Sequence, residues 1–297
     1  MAPDLCIGTA QFGLSYGITN IEGQVRQEEV ETLLQLAYQS KIGYLDTAQS
    51  YGNAEKIIGS CLPLQNNFHI VSKLATQKNK LFFVEEDLSF WEDTFQDTCR
   101  NLKSKRIGSF LLHSTSDLRK SGSHFLVDWL LSLKERGLVQ RLGVSIYDAE
   151  DLRGVDPRLL DIVQLPLSLY DQRLLLDGTI EKLYSTGTSI HARSIYLQGL
   201  LLTPPSAWPS WIPSNFVKHH QSLINLSIER KCTLIELALG FARDQDELEA
   251  IVLGLCNVNQ FEQLINAFAS PSPWQKYEWR SWSLHDKKML DPRLWPG

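Results

Sequence analysis

Along this chain the spacing of apolar residues switches repeatedly between a period of two and one of about 3.6. Short apolar runs bounded by polar or glycine residues alternate with longer amphipathic stretches. The runs Leu5–Phe12, Tyr44–Asp46, Phe68–Lys73, Ser109–His113, Val139–Ser145, Ile162–Leu165, Ser189–Ala192 and Ala250–Leu253 read as strands. Between them, helical spacing marks Gln27–Ser40, where Val30, Leu33, Leu34 and Ala37 share a face behind an acidic first turn. Further helices are predicted over Asn53–Cys61, capped by Asn53, over Glu85–Lys103, and over Phe125–Arg136 with Phe125, Trp129, Leu130 and Leu133 inward. The same reading gives a short helix at Asp148–Arg153, then Leu174–Ser185 ended by Gly187, Phe216–Glu229, Thr233–Arg243 and Asn259–Ala269. Four prolines, Pro204, Pro205, Pro209 and Pro213, punctuate a long loop before the last three helices.

Strand and helix alternate eight times. Such alternation implies a parallel sheet, and eight units suggest closure into a (β/α)8 TIM barrel. The length of 297 residues suits one such domain, and the 43% hydrophobic content supplies its core. No Gly/Ser-rich linker or internal repeat divides the chain, so 1–297 is expected to be a single domain. Its last segment, 271–297, carries Trp274, Trp279, Trp282 and Trp295 and is expected to pack on the barrel's outside.

Charge and targeting features narrow the function classes. Net charge is -5 with both signs interspersed, which argues against a nucleic-acid or anionic-membrane surface. No apolar run approaches the ~20 residues that span a bilayer, and the N-terminus lacks a signal-peptide pattern. Five scattered cysteines, none in a CxxC pair, read as reduced thiols of a cytoplasmic protein.

Chemistry concentrates where strands end. Tyr44-Leu-Asp-Thr-Ala-Gln-Ser-Tyr-Gly52 places Asp46 and Tyr51 at the carboxyl end of the second strand. Lys73 ends the third strand and His113 the fourth. In a parallel barrel that end is the catalytic face. Each residue also has a plain structural reading: a turn-capping aspartate, a core tyrosine, a solvated lysine, a buried hydrogen-bonded histidine.

The series Asp46-Thr-Ala-x-x-Tyr51-Gly, a strand-end Lys73, then Leu111-Leu-His113 resembles the aldo-keto reductase superfamily, and the resemblance runs from Ile7 to about Phe268. It implies an NAD(P)-dependent enzyme that reduces an aldehyde or ketone, sugar-like ones included, with Tyr51 as general acid. Lys73 would lower the Tyr51 pKa from its ordinary ~10, Asp46 would fix Lys73, and His113 would orient the substrate oxygen. By the same resemblance Ser145 and Gln164 would hold the nicotinamide carboxamide. Ser168 would stand in for an asparagine common in relatives. Arg193, in place of an aromatic ring, would stack on the nicotinamide or bind an anionic substrate group, with Ser194, Leu197 and Gly199 lining the pyrophosphate.

Gly254, Asn257, Gln260 and Gln263 would meet the adenosine end. Relatives put Lys or Arg there; here none occurs between Arg243 and Lys276, so the resemblance implies NADP while the local charge also admits NAD. Phe12, Tyr16, Tyr51, Phe82, Tyr170 and the Trp208/Trp211 loop are candidates for the substrate wall. Two other classes stay open: a cofactor-binding redox-sensing or regulatory subunit on the same barrel, and a metal-dependent barrel enzyme, which would need more carboxylate or histidine ligands at strand ends.

Overall fold

In the computed structural model, residues 2–63, 67–275 and 277–296 are described. Among them, eight parallel strands close into a barrel in sequence order. These are β1 (Asp4–Gly8), β2 (Tyr44–Asp46), β3 (His69–Leu74), β4 (Ile107–Leu112), β5 (Val139–Ser145), β6 (Ile162–Pro166), β7 (Ser189–Arg193) and β8 (Ala250–Gly254). β1 pairs with both β2 and β8, which completes the ring. The fold is a single-domain (β/α)8 barrel.

Strand alternation decides what faces where. Ile7, Leu45, Ile70, Phe110, Leu112, Leu142, Val144, Val163, Leu165, Ile190, Ile251 and Leu253 point outward and join the core shared with the helices. The intervening positions point inward. Cys6, Ala250 and Val252 form one buried cluster there, and Val71, Leu111 and Ile162 a second, both touching Tyr44. Two residues further along the same strands come Asp46, Lys73, His113 and Gln164. The inner face of the barrel is thus apolar at mid-height and polar at its carboxyl end.

The opposite end is polar as well. Arg141 Nη1 and His191 Nε2 each donate to the Glu249 carboxylate at 2.8 Å, and Arg141 Nη2 lies 3.2 Å from His69 Nε2. Burial pushes the Glu249 carboxyl up, yet the His191 and Arg141 contacts hold it down at about 2. This cluster closes the amino end of the barrel.

The helices Gln27–Gln39, Ala54–Cys61, Asp87–Asn101, Ser123–Glu135, Ser214–Arg230, Leu234–Arg243 and Val258–Ala269 stand near their expected places. Four expectations need correction. The first strand stops at Gly8; Ala10–Gly13 is a helical turn. Its cause is a close approach: a Cβ on Gly13 would lie 1.8 Å from Tyr51 O, and one on Gly52 2.4 Å from Gly13 O. Asn53 does not cap its helix through its side chain; its Oδ1 accepts from Gln24 Nε2 at 2.9 Å. Leu174–Ser185 divides into Arg173–Leu176 and Thr179–Ser185, because Gly178 takes a left-handed φ of 81°. On Ser123–Glu135, Leu126 is buried where Phe125 was expected, and Phe125 is half-buried.

The tail packs on the barrel; its Lys276 and Gly297 lie outside the described residues. Trp274 Nε1 donates to Leu237 O at 2.8 Å, Trp279 meets Phe241 edge-on at 5.2 Å, and Trp295 lies against Trp211 at 5.5 Å. Among the described residues no helix is long and apolar enough to cross a membrane.

The Gly13 contact yields a test. Gly13→Ala is expected to cost about 1–3 kcal/mol of stability, since backbone atoms must move apart. Gly43→Ala, where a Cβ meets nothing within 4 Å, is expected to stay within about 0.5 kcal/mol of the parent in urea unfolding.

Candidate active site

Asp46 is the hub of the carboxyl-end layer. Its Oδ1 accepts from Lys73 Nζ and from Gln164 Nε2, both at 2.7 Å. Lys73 Nζ also donates to Thr47 O at 2.9 Å. All three side chains are buried, so β2, β3 and β6 are tied together by charge-assisted hydrogen bonds in a low-dielectric interior. Register sets this up: Asp46 lies beside Gly8 of β1 and Val71 of β3, two residues before Lys73.

Tyr51 lies over this pair. Lys73 Nζ is 5.3 Å from its ring centroid. The His113 ring meets it edge-on at 5.7 Å, and Ser50 Oγ holds His113 Nδ1 at 2.9 Å. The expected lowering of the Tyr51 pKa by Lys73 is not found. Burial raises the phenol well above its ordinary value and the Asp46 charge adds to the rise, while Arg193 opposes it. The Lys73 ammonium is engaged by Asp46 at 2.7 Å, so much of its field is cancelled there. His113 is held down at about 3 by burial, then by Lys73 and Arg193, and is a neutral imidazole at ordinary pH.

Asp46, Tyr51, His113 and Gln164 line a cavity of about 630 Å3, within the range of small-molecule and cofactor sites. Arg193, Ser194, Gly199, Gly254, Gln260 and Gln263 line it too. Arg193 is anchored by Ile146 O at 2.9 Å and Ser194 Oγ at 3.2 Å, with its guanidinium 4.0 Å from the Tyr147 ring centroid. The Arg293 guanidinium stands 3.5 Å from the same centroid. The segment after β7 is left-handed at Ser194, Leu197, Gln198 and Gly199. A Cβ on Gly199 would lie 1.9 Å from Thr19 Oγ1, so this segment fits closely under the loop after β1. Non-glycine residues in that region carry strain and collect where ligands are gripped.

Five expected residues stand outside the lining: Lys73, buried behind Asp46, Leu197, also buried, and three more. Ser145 ends β5, buried beside Gln164. Ser168 Oγ accepts from Asp171 N at 2.9 Å, a turn bond that uses the hydroxyl. Asn257 Oδ1 caps the helix Val258–Ala269 by accepting from Gln260 N at 3.0 Å. Of the expected aromatic wall, Tyr16 and Tyr51 line the cavity. Phe12 is fully buried, Phe82 is exposed, Tyr170 is buried against His220, and Trp208 and Trp211 pack against His220 and Trp295.

Gln11, Ser50, Tyr147 and Tyr196 line the cavity as well, and no sequence motif singles them out. Gln11 lies inside the stretch that carried the family resemblance, and Tyr147 follows β5 by two residues, so position alone pointed to both. Gln11 Oε1, Gln164 Oε1 and Tyr196 OH are buried without a partner, and all three residues line the cavity. Such orphaned groups suit a polar ligand. Unmet acceptors of this kind match the carboxamide and hydroxyl donors of a nicotinamide dinucleotide. Among the described residues no three His, Cys, Asp or Glu side chains gather to hold a metal ion.

The sequence pattern of the Aldo/keto reductase family matches residues 4–286. An aldo-keto reductase from Bacillus halodurans, solved in its holo form, superposes with a TM-score of 0.72 at 18% identity, covering 98% of this chain and 93% of that one. The glycerol dehydrogenase of Gluconobacter oxydans gives 0.70 at 21% identity, covering 93% and 89%. A thermostable aldo-keto reductase in complex with the inhibitor epalrestat gives 0.67 at 20%, covering 94% of each. No curated protein sequence matches the chain.

Two outcomes follow from this geometry. Asp46→Asn leaves a buried ammonium with a weakened partner and is expected to cost up to about 3–5 kcal/mol; adding Lys73→Met should recover part of that loss in a double-mutant cycle. The second concerns acid. Burial, as the largest cause, holds His113 at about 3 and His69 and His220 at about 4. The unfolded chain takes up these protons near 6.5 while the fold does not, so stability present above about pH 6.5 is lost as the pH falls towards 4. Urea midpoints should be level above pH 7 and decline below it, with a shallower decline in His113→Gln.

Proposed function

The chain belongs to the aldo/keto reductase family, and from that premise we propose that it reduces an aldehyde or ketone to the alcohol with Tyr51 as the proton donor. The family makes it an oxidoreductase that works with a nicotinamide cofactor. The observation that carries the finer reading is the convergence of Asp46, Lys73, Tyr51 and His113 at one rim of the barrel, beside a cavity with unmet hydrogen-bonding groups.

A carbonyl group needs a hydride at carbon and a proton at oxygen. The cofactor supplies the hydride, which no side chain carries. Gln164 and Gln11 would orient its carboxamide end, and Arg193, Ser194 and Gly199 would flank it. Ser145 acts through its place beside Gln164 rather than through the cavity wall. Tyr51 supplies the proton. Its raised pKa keeps the phenol protonated through the neutral range, which is the form that donates. As charge builds on the oxygen, the phenolate left behind lies near the Lys73 ammonium, which Asp46 keeps in position. His113 is neutral, and with Nδ1 on Ser50 it offers Nε2 to the substrate oxygen. A compact carbonyl compound, sugar-like ones included, suits the Tyr16, Tyr51 and Tyr147 side of the cavity. The five cysteines, all free thiols, support a reducing, cytoplasmic setting.

A Tyr51→Phe variant is expected to bind NADH or NADPH with unchanged affinity by fluorescence titration. It should lose about 10²–10⁴-fold in turnover on an aldehyde panel. Undiminished turnover would remove Tyr51 from the donor role.

A further inference from the structure

We infer that this chain selects the dinucleotide without a 2′-phosphate, NAD(H) over NADP(H), through an acidic setting at the β8 side of the cavity. The inference rests on the dinucleotide reading above and deepens it. A dinucleotide with its carboxamide at Gln164 and its length along the cavity would bring its adenosine to the side lined by Cys256, Gln260 and Gln263. A 2′-phosphate there would carry about -1.5 to -2 charges and needs a cation or a cradle of free amides.

The described lining on that side offers no cation. Among the described lining residues, the charged side chains are Asp46, Arg193 and Glu22. Arg193 belongs to the other side, against Tyr147 and near Tyr51 and His113. Glu22 belongs to the adenosine side, where its carboxylate adds to the burial that raises the Cys256 thiol. Three of the amides at this turn already have acceptors within the protein. At the start of the helix Val258–Ala269, Val258 N donates to Glu29 Oε1 at 2.8 Å and Gln260 N to Asn257 Oδ1 at 3.0 Å. Just before it, Cys256 N donates to Gln260 Oε1 at 2.8 Å. The positive end of this helix is therefore already occupied by a carboxylate of the protein's own, from the helix Gln27–Gln39. An arriving phosphate would displace Glu29 and meet the like charge of Glu22, a repulsion that salt screens. The two hydroxyls of an unmodified ribose bring no such charge and can donate to these oxygens.

Equilibrium binding of NADH and NADPH to the whole protein, followed by cofactor fluorescence at low salt, tests this without turnover. NADH is expected to bind about tenfold or more tighter than NADPH. The gap should shrink as salt rises, because the repulsion is screened. Glu22→Gln should narrow it, and Cys256→Arg, which brings a guanidinium to the same place, should shift the NADPH-to-NADH affinity ratio towards NADPH by about tenfold. NADPH binding as tightly as NADH to the unaltered chain overturns the selection for NAD(H) and leaves the dinucleotide site standing. Failure of both to bind overturns the dinucleotide reading itself.

Discussion

A lysine buried within a barrel of strands is tolerable only if its charge is answered, and the answer here is Asp46. Its Oδ1 accepts two short bonds, from Lys73 on β3 and Gln164 on β6, while the strand that carries it pairs with β1 and β3. Two ions taken from water must be held in good geometry to offset their lost hydration. The geometry comes from strand register, so the barrel and the ion pair need one another. Tyr51 and His113 gain their positions from the same arrangement: one lies over the ammonium, the other has its pKa held down by burial and by that same charge.

The loops show a division of labour. After β2 and β4 the chain carries Tyr51 and His113, the groups proposed to handle protons. After β7 it adopts left-handed backbone at four positions and lies close beneath the loop that follows β1, with Thr19 Oγ1 donating to Gln198 O at 3.3 Å. Those two loops form the wall along which an elongated ligand would lie. The rest of the barrel stiffens them from below, with one apolar core outside the strands and two smaller clusters inside.

Much of this was legible in the sequence, and the reasons are physical. Strand periodicity is exact, so two-residue steps from Tyr44 to Asp46, Val71 to Lys73, Leu111 to His113 and Ile162 to Gln164 put the polar groups on the inner face without further information. All eight strands and the main helices were readable for the same cause. What escaped was set by tertiary contact. The break of β1 at Gly8 follows from the approach of Gly13 to Tyr51. Ser168 and Asn257 looked free because sequence does not show that their oxygens satisfy local backbone amides. The direction of the Tyr51 shift is not legible in the sequence, because it depends on burial and on how far Asp46 cancels Lys73.

The ring of Tyr147 joins two parts of the chain that are far apart in sequence. Arg193, from the end of β7, lies 4.0 Å from its centroid, and Arg293, held by Asp291 near the chain's end, lies 3.5 Å away. Two guanidiniums sharing one aromatic partner are mechanically coupled: neither can shift without changing the seat of the other. The final turn of the polypeptide is thereby a buttress for the cationic side of the cavity, and whatever grips or loosens that tail also sets how firmly Arg193 is held where hydride transfer would occur.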